Sequence, residues 1–342
     1  MKKTLALVLA LCMVFALCAT SAFADNAYPT KGIIAINPWS AGGGTDNCLR
    51  AFCTALEKQL GVTITVDNQT GASGVIGHEA IADADPDGYT IGMITWELAS
   101  YLPQDMSDYT YEDYIPLCRV NTDAAAITVN AAWAEANKIT DVESYVKYCA
   151  AHPGEVMMGG SSSGSVWHVA GGYLMNAADI EIKMIAYADG AADAVKAAAQ
   201  GEIQGVTVSV AEARSFIESG DLVLLGVMDS ERSTLFPDVP TCKEQGYDLE
   251  YATQRGMAVP LDTPEDIVKT LRDACAEAIK DEEFIATMES LGQKISFMDG
   301  EEYGEYLAQA AIDVPAAMVT VGLIDEEDLP EAAVEATATP AA

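Results

Sequence analysis

The sequence predicts an α/β protein, and three observations carry that reading. Short apolar runs, each the length of one strand, alternate along the chain with amphipathic helical patterns, which implies parallel sheets packed on both faces. Glycine- and serine-rich turns at 40–46, 71–77 and 160–165 each follow a strand and open a helix, the place where α/β sheets collect ligands. The chain of 342 residues also leaves enough length for two domains with real cores after a leader is removed.

The leader comes first. Lys2 and Lys3 precede an apolar run at 5–17, and Ala22-Phe23-Ala24 has the form of a cleavage site. Cleavage after Ala24 and export are predicted, so 1–24 is a signal peptide outside the fold. The apolar run is too short for a permanent span. Cys12 and Cys18 each follow a leucine, which argues against a lipid anchor. No later run is long and apolar enough to cross a membrane.

The first strand is the apolar run 32–36. It leads into Asn37-Pro38-Trp39-Ser40-Ala41-Gly42-Gly43-Gly44-Thr45-Asp46, then a helix with Leu49, Phe52, Cys53, Leu56 and Leu60 on one face. Three consecutive glycines leave backbone N–H groups exposed, and the helix start adds its unpaired N–H groups and dipole. Such a turn suits an anion, and Thr45 or Asp46 supplies a helix cap in any case. A strand at 62–66, the turn 67–77 and a short helix through Ala84 follow. Asp85-Pro86-Asp87-Gly88 makes a turn before a buried strand at 89–95. Thr140-Asp141-Val142-Glu143 reads as a capping box for a helix to about Ala151. After a strand at 155–158, the run 159–165 opens a helix carrying Trp167 and His168. Further strands are expected at 182–185, 206–210 and 222–228. Thr263-Pro264-Glu265-Asp266 starts a helix, with Thr263 as cap and proline in the first turn. The tail 330–342, rich in Ala, Glu, Thr and Pro, is predicted to be disordered.

With 18 basic and 52 acidic residues the formal net charge is −34. Nucleic acid and anionic membrane surfaces are excluded as partners, because both need a positive face. An anionic ligand must then be held by local dipoles against the global field. Cys48, Cys53, Cys118, Cys149, Cys242 and Cys275 form no C-x-x-C pair and match no zinc spacing. Cys48 and Cys53 face different sides of one helix. Isolated buried thiols are the expectation, with a disulfide among the other four as the alternative in an exported protein.

Three motifs are weighed and set aside. Gly71-x-x-Gly74-x-x-Gly77, with Glu97 further on, resembles a dinucleotide fingerprint but departs from its spacing. Gly160-x-Ser162-x-Gly164 has the form of a nucleophile elbow, yet the three histidines are His78, His152 and His168, none well after the serine. Those scattered histidines show no metal-ligand pairing, and the carboxylates read as a solvated surface. No cofactor and no metal are predicted. What survives is a binder whose three turns converge their amides on one small anion.

The chain here resembles the solute receptors of tripartite tricarboxylate transporters, the Bug-type periplasmic binding proteins. The carriers are Tyr28-Pro29, 38–46, 68–77, 84–90, 160–168, Tyr187 with Gly190, Glu231-Arg232-Ser233 and 237–241; the resemblance runs over about 28–324. It implies a type II-like Venus flytrap, with one discontinuous domain at 28–121 plus 226–325 and a second at 122–225, closing on a cleft. It further implies capture of a small carboxylate for integral membrane permease subunits, by a monomer without enzymatic activity. The first and second loops would grip the acid: Ser40, Gly43, Gly44, Thr45 and Asp46, then Gly71, Ala72 and Gly74. Ser161, Ser162, Ser165, His168, Tyr187 and Ser209 would face them from the second domain, and Trp39, Thr95 and Trp96 would flank the pocket.

Physically, the N–H groups of Gly43, Gly44 and Gly74 would bond carboxylate oxygens. The hydroxyls of Ser40, Thr45, Ser161 and Ser165 would set orientation. Asp46, being negative, would cap its helix or order the loop. No Lys or Arg stands in the three turns, so recognition by backbone dipoles is predicted, with Arg119 and Arg255 treated as distant. Two departures bear on ligand identity: Ala188-Asp189 stands where many relatives carry lysine, and Trp39-Ser40-Ala41 replaces the usual proline-and-glycine run. The alternatives are a secreted serine hydrolase using Ser162 and a sensory receptor of the same fold.

Overall fold

The computed structural model describes residues 28–188 and 190–330. The predicted leader and the tail from 331 onward lie outside the described residues.

The chain builds two sheets in succession. Strand β1 (Ile33–Asn37), helix α1 (Gly44–Leu60), β2 (Ile64–Asn68), α2 (Val75–Ala82) and β3 (Thr90–Thr95) wind the parallel part of the first sheet. A long strand, β4 (Tyr114–Ala124), then passes directly into β5 (Ala126–Asn130) of the second sheet, with Ala125 alone between them. The second sheet continues through α3 (Ala131–Asn137), α4 (Val142–Ala151), β6 (Met157–Gly159), α5 (Val166–Ala178), β7 (Lys183–Ile185), α6 (Ala191–Ala199), β8 (Gly205–Val206), α7 (Val210–Ser219) and β9 (Leu222–Val227). The chain returns to the first sheet with β10 (Ala252–Pro260), followed by α8 (Glu265–Ala278), α9 (Glu282–Leu291), β11 (Lys294–Asp299) and α10 (Gly300–Thr320).

Strand order is β11-β4-β10-β3-β1-β2 in the first sheet and β7-β6-β8-β5-β9 in the second. Neither sheet is wholly parallel, against the expectation from strand–helix alternation. β10 runs antiparallel to β3 and β4, and β5 runs antiparallel to β8 and β9. The reason is connectivity. Strands wound in by βα units share one direction. Each strand that enters a sheet from the other one, β10 in the first and β5 in the second, runs against them, while β4 and β9, which leave their sheets, run with them.

The cores follow the amphipathic faces. On one side of the first sheet, Leu49, Phe52 and Leu56 of α1 pack with Leu271 and Phe284; on the other, Ile81, Tyr101, Tyr303 and Leu307 do so. The second sheet buries a larger cluster around Met158, Trp167 and Leu225. Helix α10 belongs to both, placing Tyr303 and Leu307 in the first core and Val314 and Met318 in the second. It therefore bridges the two sheets along the side opposite no strand of its own. All six cysteines from Cys48 to Cys275 are free and buried, as the thiol reading expected.

Local details differ from expectation for identifiable reasons. The cap of α4 is Asp141, whose carboxylate accepts from the Ser144 N–H at 2.8 Å while Ser144 Oγ accepts from the Asp141 N–H at 3.1 Å; the box is shifted one residue from Thr140 and Glu143. Thr263 does not cap α8, because its hydroxyl donates to the Pro260 carbonyl at 2.8 Å. The strand expected at 206–210 is cut to β8, since Ser209 caps α7 by accepting from the Glu212 N–H at 3.3 Å. Among the described residues no helix is long and apolar enough to cross a membrane.

Candidate functional site

The first glycine turn is fixed by Asp46. One carboxylate oxygen accepts from the Gly42 N–H at 2.8 Å, the other from Asn37 and Asn68 Nδ2, and Arg50 Nε lies 2.9 Å away. Gly42 sits at φ +81°, the left-handed region a side chain would resist. Burial raises the Asp46 pKa, but Arg50, Gly42 and Asn68 together outweigh it, and the carboxyl stays below its ordinary value. Asp46 is thus a loop organiser facing away from the cleft.

The second turn is held by His78. Its Nδ1 lies 2.9 Å from the Gly74 carbonyl, and Nε2 accepts from the Thr95 N–H at 3.1 Å. Burial pushes this imidazole down to about 4, so at neutral pH it is uncharged and staples the turn to the end of β3. Trp39 then intervenes between this turn and the cleft. A Cβ built on Gly74 would lie 3.0 Å from Trp39 Cζ2, and the indole N–H donates to Thr95 Oγ1 at 3.3 Å. The bulky residue at the lip of the first loop covers Gly74.

The third turn is stitched internally. Ser161 Oγ donates to Ser165 Oγ at 2.7 Å, and Ser165 Oγ donates to the Ser162 carbonyl at 2.6 Å. The Gly164 N–H donates to His168 Nδ1, and the Tyr187 N–H to the Ser161 carbonyl. Ser162 Oγ is buried with no hydrogen-bond partner. A nucleophile needs a base within hydrogen-bond reach, and the ring nitrogen of His168 that is engaged serves a backbone amide instead.

Between the sheets lies a small cavity of about 30 Å³, room for about one water. Seven of the expected residues line it: Trp39, Ser40, Gly43, Gly44, Thr45, Thr95 and Ser161. Asp46, Gly71, Ala72, Gly74, Trp96, Ser162, Ser165, His168, Tyr187 and Ser209 are not part of that lining. Trp96 packs edge-on against Tyr251 in the second core.

The residues that sequence reading missed are the charged ones. Arg255, on β10, is 2% exposed and donates from Nε to Thr45 Oγ1 at 3.0 Å. Its Nη1 lies 3.4 Å from both Asn121 Oδ1 and the Asp123 carboxylate. The arginine expected to be distant therefore stands against the first turn, 210 positions away in sequence. The placing of Arg255 as distant is corrected accordingly, because its buried guanidinium shares the cavity wall. Arg119 does lie elsewhere, donating to Ser296 and stacking on Tyr306.

Two carboxylates complete the wall. Glu212, the third residue of α7, is half-buried; desolvation pushes its pKa up to about 7 against the pull of Arg255, with Asp123 raising it further and the Ser209 and Gly44 N–H groups lowering it. Glu97 follows β3. Its carboxylate accepts from Thr95 Oγ1 at 2.6 Å and from the Val166 N–H at 3.3 Å, and burial raises its pKa above the ordinary value. Only hydrogen-bond patterns between sheets could have revealed these contacts. In sequence, Glu212 is readable as the N3 glutamate after Ser209, and nothing more.

The model of the tripartite tricarboxylate transporter family receptor matches residues 48–318. The chain belongs to that receptor family. Among solved structures, a TctC solute-binding protein from Polaromonas, without ligand, is 33% identical with a TM-score of 0.65, covering 85% of this chain and 99% of that one. The periplasmic binding protein BugD is similar in fold at a TM-score of 0.79 and 24% identity, over 87% of this chain and 99% of its own. MatC from Rhodopseudomonas palustris, solved with bound malate, shares the fold at 0.76 and 20% identity, over 85% and 99%. The receptor thus has the two-domain fold of periplasmic binding proteins, and its family works outside the cytoplasmic membrane as a solute receptor of a transporter.

Proposed function

We propose that this receptor captures a small organic carboxylate in the cleft between its two sheets and delivers it to permease subunits of a tripartite tricarboxylate-type transporter. The lobes are 28–121 with 226–325, and 122–225, and the receptor acts as an exported monomer cleaved after Ala24. The carrying observation is the meeting of Arg255 with the N-terminus of α1 at Gly44 and Thr45, a buried cation beside a helix start in the wall of one cavity. Charge-assisted bonds from a guanidinium and from helix amides are the strong ones for a carboxylate. Ser40, Thr45 and Ser161 add hydroxyls from both sides, while Trp39 sets the size of the mouth. The malate held by MatC supports an acid of this class.

A thermal-shift screen against mono-, di- and tricarboxylic acids tests the reading. A true ligand at a hundredfold excess over its dissociation constant stabilises the fold by about 2.7 kcal/mol, without being consumed. Arg255→Met abolishes that shift. A panel in which no acid moves the transition, or one in which an ester is turned over and Ser162→Ala stops it, defeats the proposal.

A further inference from the structure

Each lobe places a carboxylate on the start of a helix belonging to the other. Glu212, on α7 against the second sheet, sets its carboxylate against Gly44 at the start of α1 on the first sheet, Oε1 lying 3.2 Å from where a Cβ on Gly44 would stand. Glu97, following β3 of the first sheet, receives the N–H of Val166 at the start of α5 on the second. Neither helix start has a side-chain cap of its own: Gly43 and Ser165 stand at those positions and accept no such bond. Three further turn amides are taken locally, Gly42 by Asp46, Gly43 by Ser40 and Gly74 by Gly71. Each of the two helix starts that face the cleft is thus met by a carboxylate from the opposite lobe.

Glu212 and Gly44 also stand between two spaces, lining the cavity of about 30 Å³ and an outer pocket of about 360 Å³ that they share with Gly42, Asn47, Arg214 and Gln293.

We propose that Glu97 and Glu212 are tethered carboxylates that hold the ligand-free cleft shut by occupying the helix starts across it, so that an arriving acid takes their place. This rests on the capture function proposed above only in naming what displaces them. The closed state is also sensitive to pH. Glu212 is faced by Arg255 from β10 and Asp123 from β4, and Glu97 by Arg255, Tyr101 and Tyr251. Because burial disfavours the ionised form of both glutamates, closure takes up protons, and rising pH loosens the cleft.

The test is small-angle X-ray scattering on the chain without its leader, in buffer free of any organic acid, together with tryptophan emission from Trp39, Trp96 and Trp167. At pH 5, where the unmodified chain is closed, the Glu97→Ala/Glu212→Ala double variant shows a larger radius of gyration and red-shifted emission than the unmodified chain. Equal radii and emission overturn the proposal. Should the double variant fail to fold, as read by far-ultraviolet circular dichroism, the isosteric Glu212→Gln decides. The unmodified chain expands between pH 5 and pH 8, while Glu212→Gln, neutral throughout and still an acceptor for Gly44, stays compact. Identical pH profiles for the two overturn it. No ligand enters either measurement, so a chain that binds none of the acids offered would count against the capture function while this result stands or falls separately.

Discussion

Arg255 is the residue whose loss the cleft can least absorb. It is buried among Asp123, Glu212, Asn121 and Thr45, and removing it strands two carboxylates without a counter-charge. Arg255→Met should cost about 3–5 kcal/mol, read as a drop in the urea midpoint at pH 8. The loss should shrink at pH 5, where Glu212 is neutral. Glu212 itself makes stability depend on pH. Its pKa is raised from the ordinary 4.5 to about 7, so the folded state binds the proton more tightly than the unfolded chain. Its contribution is therefore full below about pH 4.5 and lost as pH rises through about 7. The unfolding free energy of the unmodified chain minus that of Glu212→Gln should fall across that window; a difference that rises or stays flat refutes the assignment. Ser162 offers the contrasting case. Its buried hydroxyl has no partner, so Ser162→Ala should leave carboxylate binding unchanged and stability unchanged or slightly higher, since no bond is lost and a desolvated group is removed.

At the scale of elements, the site depends on how two helices begin. Gly44 opens α1, and a Cβ there would lie 2.7 Å from Arg255 Nη2 and 3.2 Å from Glu212 Oε1. Alanine is the better helix former, yet here it must displace a guanidinium already anchored to Thr45. Gly44→Ala should weaken carboxylate binding by tenfold or more, about 1.4 kcal/mol, as measured by calorimetry, while far-ultraviolet dichroism stays unchanged. The turn before α2 rests on His78 in the same way. His78→Phe leaves the buried Thr95 N–H without its acceptor, at a cost of about 1–3 kcal/mol, and should loosen the packing of Trp39 against Gly74. That pairing makes the second turn a support for the pocket lip in place of a direct contact with ligand.

For the whole molecule, the geometry concentrates bending where the chain crosses between sheets. β4 enters β5 through Ala125 alone, β9 returns toward β10 through 228–251, and α10 spans both cores. Arg255 and Asp123 sit on two of those crossing strands, so the polar cluster at the cleft floor lies beside the crossings. The global charge acts on the approach of a ligand. At a formal −34 the chain repels an anion, and added salt screens that repulsion. The association rate of an acidic ligand should therefore increase with sodium chloride concentration in stopped-flow tryptophan fluorescence, the reverse of what a basic receptor shows.

Read alone, the sequence determined the α/β class, the strand-to-helix position of all three glycine turns, and membership of a receptor family through the order of motifs from Tyr28 onward. Those features are local, written in apolar periodicity, glycine positions and caps within a few residues of one another. Ser40, Gly43, Gly44, Thr45 and Ser161 were legible for the same reason, being turn residues at strand ends. Only the tertiary structure decided the directions of the crossing strands, the screening of Gly74 by Trp39, and the arrival of Arg255, Glu97 and Glu212 at the cavity. Each of these joins positions brought together by folding, and a charged side chain in a strand or helix carries no local mark of the buried partner it will meet. Desolvation then makes that meeting matter, because charges that cost little on a solvated surface must find each other once water is excluded.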